Sequence, residues 1–229
     1  NDGAFSWLDL SAFQFEADSL AFETNIPIGY GAGSSGALVA AVYDRYKLSE
    51  AKDHSKTQQR LAAMEACFHG QSSGLDPLVS YLGKAVCTNG GSNLDLIEVP
   101  ALKDLYLLDT GKARSTAPLV KIFKEKLLIS SFESAVEKLS IINKAAIESL
   151  IHQDFEALFD AFSGISKIQW EHFQEMIPEA YQQVWKEGLE KEGYSVKLCG
   201  AGGGGFLLLM ANPHEKYSSN LPSNLLSLS

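Results

Sequence analysis

The feature that most constrains this chain is a glycine- and serine-rich loop at residues 29–36, which a run of small and apolar residues follows directly. Glycine lets the backbone adopt positive φ and approach a ligand closely, and a helix N-terminus offers free N–H groups and the positive end of a dipole. We predict a helix that begins near Ser35 or Gly36, and therefore a phosphate-binding loop. A strand-to-helix turn capped by serine is the alternative reading of the same residues.

Composition sets broad limits on the function. The chain has 229 residues, of which 45% are hydrophobic, enough for one large domain or two small ones. Its net charge of −9 argues against general binding to nucleic acid or an anionic membrane. No apolar run is long enough to cross a bilayer and the first residues lack the basic flank and apolar stretch of a signal peptide, so we expect a cytoplasmic protein. The three cysteines have no C-x-x-C spacing, so we expect buried, reduced thiols rather than a zinc site or a disulfide framework.

The order of strand and helix patterns predicts an α+β fold. We predict strands in the first 27 residues, a helix that ends at Gly70, more strands up to Asp109 and a mostly helical region after Thr116. Two further strands, 194–198 and 206–210, follow the helical region. The change from strand-rich to helix-rich sequence divides the chain near Lys112, into domains 1–111 and 112–229.

Two acidic residues accompany the loop. Glu65 lies near the end of a predicted helix, where the negative end of the dipole disfavours a carboxylate and a metal ion would relieve the penalty. Asp76 stands between a polar Ser-Ser-Gly stretch and Pro77, and we expect it on a constrained turn. Either residue alone is better explained by a structural role. Beside a phosphate loop, the pair favours a site for a metal ion and a phosphorylated ligand.

These motifs together resemble the GHMP kinases, the galacto-, homoserine, mevalonate and phosphomevalonate kinases. Residues 31–36 are similar to the second signature of that family, and residues 197–205 to the third. Residues 65–76, read as E-x-x-x-H-G-x-x-S-G-x-D, resemble the mevalonate-kinase branch, and residues 109–116 resemble the segment between the signatures. The resemblance implies a two-domain fold, with an N-terminal domain like domain 2 of ribosomal protein S5 and a ferredoxin-like C-terminal domain.

The resemblance also implies an activity and roles for individual residues. The activity is the transfer of phosphate from ATP, with Mg²⁺, to the hydroxyl of a small alcohol, with mevalonate favoured over a sugar, homoserine or phosphomevalonate. Asp76 would be the catalytic residue, and Ser35 and Glu65 would hold Mg²⁺. The ATP phosphates would be bound by Gly31, Ala32, Gly33, Ser34, Ser35 and Gly36. The substrate site would include His69, Ser73, Arg114, Thr116, Gly202 and Gly203. A homodimer is compatible with this resemblance.

One departure from the family and three rival functions remain. The first signature, which carries a lysine near the catalytic aspartate and a Gly-Glu pair, is absent, and we expect an upstream segment to supply it. Without that lysine, a nucleotide-binding homologue that lacks turnover is the alternative. A serine hydrolase built on the G-x-S-x-G of residues 70–74 would need a strand before the serine, where we predict a helix. A dinucleotide fold would need an acidic residue at the end of a second strand, about 20 positions after the loop.

Overall fold

The structure, a computed structural model, describes residues 4–88, 94–100, 104–191, 193–214, 222 and 224–228, with residue 69 described in its backbone only. The chain forms two compact units. The first consists of residues 1–28 and 33–98, and the second of residues 29–32 and 99–229. In the described part of the chain, no helix has both the length and the apolar character that crossing a bilayer requires.

In its described residues, the first unit has four α-helices and a pair of antiparallel strands. The helices are α1 (Leu10–Glu16), α2 (Ser34–Tyr46), α3 (His54–His69) and α4 (Leu75–Leu82), and the antiparallel strands are β1 (Ala85–Thr88) and β2 (Leu94–Ile97). Val39 and Tyr43 of α2 pack with Leu61 of α3 and Leu78 of α4 in one buried cluster. The N-terminal ends of α2 and α4 are fixed by this core.

Helix α1 replaces the strands predicted for the start of the chain. Asp9 caps it, because its side chain accepts a hydrogen bond of 2.9 Å from the Ala12 N–H. Phe13 packs on Tyr46 with ring centroids 5.3 Å apart, whereas Phe15 is 91% exposed. The aromatic residues at every second position therefore do not form one buried strand face, and the strand prediction is wrong for the described residues.

Helices α1 and α2 are joined by a hydrogen-bonded group of partly exposed side chains and the buried Tyr46. The Glu16 carboxylate accepts hydrogen bonds from the Tyr46 hydroxyl at 2.6 Å and from the Arg45 guanidinium at 2.7 Å. These bonds, first that of Tyr46 and then that of Arg45, hold the pKa of Glu16 below its ordinary value. A carboxylate whose pKa is lowered by folding stabilises the fold above its unfolded pKa and loses that effect as the pH falls through the folded pKa.

We therefore expect Glu16→Gln to lower the thermal midpoint at neutral pH, by an amount that shrinks towards zero in acid. Circular dichroism melts of parent and variant across this range measure the difference. Glu23→Gln, at an exposed position, is the control and should leave the midpoint unchanged at every pH. A difference for Glu16→Gln that grows as the pH falls would contradict this explanation.

The second unit is a four-stranded antiparallel sheet covered by helices. The strands β3 (Leu105–Asp109), β4 (Tyr194–Leu198), β5 (Phe206–Ala211) and β6 (Leu225–Ser227) lie in the order β4-β5-β3-β6. The helices are α5 (Thr116–Lys126), α6 (Ser130–His152), α7 (Phe155–His172) and α8 (Glu179–Lys191). Alternate residues of β5 enter different cores, Leu207 with Trp185 and Met210 with Phe162. The helical region and the two strands after it are confirmed as predicted.

Two details differ from the sequence predictions. The second compact unit begins its main segment at Val99 rather than at Lys112, because β3 pairs with β5 about a hundred residues further on. Cys67 is exposed on α3, so its predicted burial is wrong, while Cys87 and Cys199 are partly buried and all three are free thiols. The sequence also predicts a turn at residues 89–92, because Asn-Gly-Gly-Ser interrupts the strand pattern there, and these residues lie outside the described ones.

Candidate active site

The second half of the glycine loop begins helix α2 in the first unit. Gly33 is the residue before the helix and has a left-handed backbone, with φ of 79°, and Ser34 is the first helical residue. The predicted helix start is therefore confirmed to within one or two residues. A Cβ atom on Gly36 would lie 2.8 Å from the Pro77 nitrogen and 2.9 Å from the Asp76 Cβ. Only glycine allows the first turn of α2 to lie this close to the first turn of α4.

Asp76 lies in the first turn of helix α4, where the sequence predicts a constrained turn. Gly74 precedes the helix with φ of 70°, and Pro77 is accommodated because N–H groups of a first turn have no partner within the helix. Although Asp76 keeps an exposed outer side, partial burial and then the negative charge of Glu65 raise the pKa of its carboxyl. Asp76 is thus a carboxyl group with increased proton affinity, close to a second carboxylate.

Glu65 is a buried carboxylate on α3, with only 7% of its surface exposed. Its Oε1 atom accepts a hydrogen bond of 3.3 Å from the Ser35 hydroxyl, and its Oε2 atom accepts one from the Ser72 hydroxyl. Among the described side chains, no lysine, arginine or histidine forms an ion pair with it. A buried negative charge without a cationic side chain favours the binding of a cation.

The donor set suits magnesium. The Ser35 hydroxyl and the Glu65 carboxylate provide hard oxygen ligands, and Mg²⁺ prefers one or two carboxylates completed by water and phosphate oxygens. Ser35 lies in the first turn of α2, a helix of 13 residues whose N-terminal end attracts phosphate. Glu65 belongs to α3 but lies beside this turn, because its carboxylate is hydrogen-bonded to Ser35. The residues present therefore fit a magnesium ion carried by a nucleotide.

In the second unit, Arg114 organises the first half of the glycine loop and the third glycine signature. Its Nη1 atom donates hydrogen bonds to the Cys199 carbonyl at 2.9 Å and to the Gly202 carbonyl at 3.0 Å. Its backbone N–H donates to the Gly29 carbonyl at 3.0 Å. A Cβ on Gly31 would lie 2.1 Å from Arg114 Nη2. Arg114, predicted to bind substrate, is here also a structural tie between two glycine loops.

The glycine loop of the third signature, residues 200–205, has almost no space for side chains. A Cβ on Gly202 would lie 2.4 Å from the Met176 carbonyl oxygen, and one on Gly203 would lie 2.5 Å from Leu119. Gly203 also donates its N–H to the Met176 carbonyl at 2.6 Å. These contacts fix the loop between β4 and β5 against its own unit.

Gly205 gives a direct test of how much stability this loop contributes. Its φ is +70°, and a Cβ would lie 2.3 Å from the Tyr30 carbonyl oxygen, whereas Gly111, with φ of +64°, has no atom within 4 Å. We expect Gly205→Ala to lower the free energy of unfolding by about 1–3 kcal/mol more than Gly111→Ala, because only the first adds a steric clash to the left-handed backbone. Urea unfolding followed by tryptophan fluorescence measures both. Equal losses would show that the Tyr30 contact is not tight.

The remaining residues predicted for the phosphate and substrate sites are less informative. Ser73 is exposed, and its hydroxyl accepts a long hydrogen bond of 3.3 Å from the Leu75 N–H. Ala32 and Thr116 are exposed as well, Thr116 as the first residue of α5. His69 ends α3, and its side chain lies outside the described residues. The structure therefore brings together Gly33, Ser35, Gly36, Glu65 and Asp76 in one unit, and Gly31, Arg114 and Gly202 in the other.

Ser72 is a residue of this site that the sequence analysis considers only as a hydrolase nucleophile. The element before it is helix α3, as predicted, and not the strand that a nucleophile elbow requires. Its hydroxyl contacts Glu65 because the chain reverses at Gly70, where φ is 75°. A hydroxyl two positions after the glycine that ends a helix is the signal that could have identified this contact.

Comparison with known proteins identifies the relatives of this chain. Residues 7–84 match the family model of the GHMP kinases N terminal domain. The mevalonate kinase of Gibberella zeae is 25% identical over 251 residues, which cover 91% of this chain and 47% of the relative. That of Archaeoglobus fulgidus is 29% identical over 190 residues, covering 80% and 62%. The bifunctional fucokinase/GDP-fucose pyrophosphorylase of Arabidopsis thaliana is 27% identical over 226 residues, covering 88% and 21%.

Solved structures show the same fold. A Lin0012 protein from Listeria innocua superposes with a TM-score of 0.62 at 16% identity, covering 79% of this chain and 58% of the other. The L. major mevalonate kinase in complex with R-mevalonate has a TM-score of 0.58 at 21% identity, covering 80% and 57%. The chain therefore has the α+β fold of these solved structures, and its residues 7–84 are similar to the GHMP kinases N terminal domain. Most of the relatives it resembles are mevalonate kinases, and it spans 47% and 45% of two fungal ones.

Proposed function

We propose that this chain acts as a small-molecule kinase that transfers the γ-phosphoryl group of ATP to mevalonate, forming 5-phosphomevalonate. The observation that carries the proposal is the meeting of Ser35, Glu65 and Asp76 at the start of a helix that follows a glycine loop. The relatives named mevalonate kinase support the acceptor. The proposal places the reaction in the cytoplasm.

In the proposed mechanism, each residue group has a distinct task. The loop of residues 31–36 holds the phosphates with backbone N–H groups at the start of α2. Asp76 orients the acceptor hydroxyl and takes its proton as the oxygen–phosphorus bond forms and the bond to ADP breaks. A raised pKa suits this role, because it makes the carboxylate a better base.

Magnesium is the cofactor that this proposal requires besides ATP. When bound, Mg²⁺ neutralises charge on the β- and γ-phosphate oxygens. In the protein, Ser35 and Glu65 would hold it through the hydroxyl and the carboxylate that the structure brings within 3.3 Å. The residues proposed to contact the acceptor are His69 and Ser73 of the first unit and Arg114, Thr116, Gly202 and Gly203 of the second.

A coupled ADP-release assay tests the reaction and its acceptor. Mevalonate, phosphomevalonate, homoserine and a set of sugars are offered separately with ATP and Mg²⁺, and we expect turnover with mevalonate alone. Preferential turnover of a sugar would instead favour a sugar kinase. This second candidate is supported by the fucokinase-containing relative, which matches 88% of this chain. The assay uses the full chain together with any segment that precedes it in the protein.

A nucleotide-binding homologue without turnover is the remaining alternative. In the described part of the chain, the pKa of Asp76 is raised by burial and by Glu65, and no cation offsets these effects. The family lysine expected near this aspartate has no counterpart in the sequence. Calorimetry that shows binding of ATP, together with no ADP release on any alcohol tested, would favour this alternative.

A further inference from the structure

The Ser72 hydroxyl makes two hydrogen bonds, one as acceptor and one as donor. The oxygen accepts a bond of 2.9 Å from the Gly74 N–H, and the hydroxyl proton is donated to Glu65 Oε2. A serine hydroxyl has one proton to donate. Because that proton is directed at Glu65, the side chain links the carboxylate of α3 to the residue before α4.

The turn that carries Ser72 is itself tied to α3. The Gln58 side-chain amide donates to the Ser73 carbonyl at 2.8 Å. A Cβ on Gly74 would lie 2.5 Å from the Gln58 carbonyl oxygen and 2.8 Å from the Ala62 Cβ. The turn is therefore packed directly on the helix that bears Glu65, and Ser72 is partly buried in it.

This arrangement gives the two oxygens of Glu65 different surroundings. Oε2 is held by Ser72, while Oε1 points to the Ser35 hydroxyl, 3.3 Å away. A carboxylate held at one oxygen cannot rotate freely about its terminal bond, so the other oxygen keeps a constant direction. Hydrogen bonds of this kind to a ligating carboxylate typically change metal affinity by about 10–100-fold.

We propose that Ser72 is a positioning residue which holds Glu65 so that its Oε1 atom, together with the Ser35 hydroxyl, is presented to the metal ion of a metal–nucleotide complex. This inference rests on the proposed function, in which Ser35 and Glu65 are the metal ligands. Ser72 itself touches neither metal nor substrate in this role. It acts through the Glu65 carboxylate. We therefore expect removal of the Ser72 hydroxyl to weaken metal binding in a protein that still folds.

The test compares Ser72→Ala with Ser72→Thr, which keeps the hydroxyl, and with Ser80→Ala, an exposed serine on the outer side of α4. Binding of Mn²⁺ is measured by electron paramagnetic resonance in the presence of a non-hydrolysable ATP analogue, and the Mg²⁺ dependence of turnover is measured in parallel. We expect Ser72→Ala to raise the Mn²⁺ Kd by about 10-fold or more. Ser72→Thr should restore most of the affinity, and Ser80→Ala should leave it unchanged.

The outcomes separate this inference from the kinase proposal. A parent protein that binds Mn²⁺ with the analogue but releases no ADP overturns the kinase reaction, while the metal titration still decides the role of Ser72. An unchanged Mn²⁺ Kd in Ser72→Ala overturns the positioning role even if turnover is normal. A loss in Ser72→Ala that Ser72→Thr does not restore, with both variants folded by circular dichroism, also overturns it.

Discussion

Asp76→Asn is expected to lower kcat by about 10²–10⁴-fold, the usual contribution of a general base, while leaving the affinity for ATP nearly unchanged. In the proposed mechanism, Asp76 contacts the acceptor hydroxyl, and the phosphates are bound by the start of α2. An amide keeps the size of the side chain but cannot take the proton. Steady-state ADP release and calorimetry with ATP measure the two effects separately.

The stability of this variant distinguishes lost chemistry from lost folding. A carboxyl whose pKa is raised in the folded state destabilises the fold above that pKa, and the effect disappears as the pH falls through it. Burial and Glu65 raise the pKa of Asp76, so at neutral pH Asp76→Asn should keep or increase the thermal midpoint. Asp18→Asn, at an exposed position of the same unit, is the control for the substitution. Normal turnover in Asp76→Asn would remove this residue from the chemistry.

Gly36→Ala is expected to impair both stability and turnover. The added Cβ would lie 2.8 Å from the Pro77 nitrogen and 2.9 Å from the carbonyl carbon of Asp76, and backbone atoms cannot move aside as a flexible side chain can. We expect the free energy of unfolding to fall by about 1–3 kcal/mol. The first turn of α2, which carries Ser35, must also move away from Asp76, and a displacement of about 1 Å can reduce the rate by about 10²-fold.

Gly164→Ala is the matched control, because it also replaces a helical glycine. The nearest atoms to its added Cβ are in the Ile142 side chain, at 3.4 and 3.5 Å. Alanine is favoured over glycine inside a helix by about 0.5–1 kcal/mol, so this variant should be as stable as the parent or slightly more stable. Denaturant unfolding and the ADP-release assay are applied to both. Full activity in Gly36→Ala would show that the close approach of α2 and α4 is not needed for the reaction.

The parts of the site that could be predicted from sequence are those with local signals. Gly33 and Gly36 indicate the start of α2, and Gly70 indicates the end of α3, because helix ends depend on residues within one turn. Glu65 and Asp76 are recognised because they are the first and last residues of the short motif E-x-x-x-H-G-x-x-S-G-x-D. Their proximity in space follows from the packing of α3 and α4 in the core around Leu61 and Leu78, which the local pattern does not encode.

The parts that could not be predicted depend on distant pairing or on competing local signals. Strand β6 is only three residues long, and it forms because Leu226 pairs with Leu107, more than a hundred residues away. The pairing of β3 with β5 likewise places the boundary between the compact units before β3. At the start of the chain, alternating aromatic residues suggested strands, and the Asp9 cap decided in favour of a helix.

Arg114 has a consequence for how this chain can change over evolutionary time. Side chains at Gly31 and Gly200 would come within 2.1 Å and 2.9 Å of its guanidinium, which is already committed to two carbonyl groups. A larger residue at either glycine therefore requires the Arg114 guanidinium to move, and that movement takes the donor away from the Cys199 and Gly202 carbonyls. We therefore expect substitutions at these three positions to have non-additive effects, because each changes the space or the contacts available to the others.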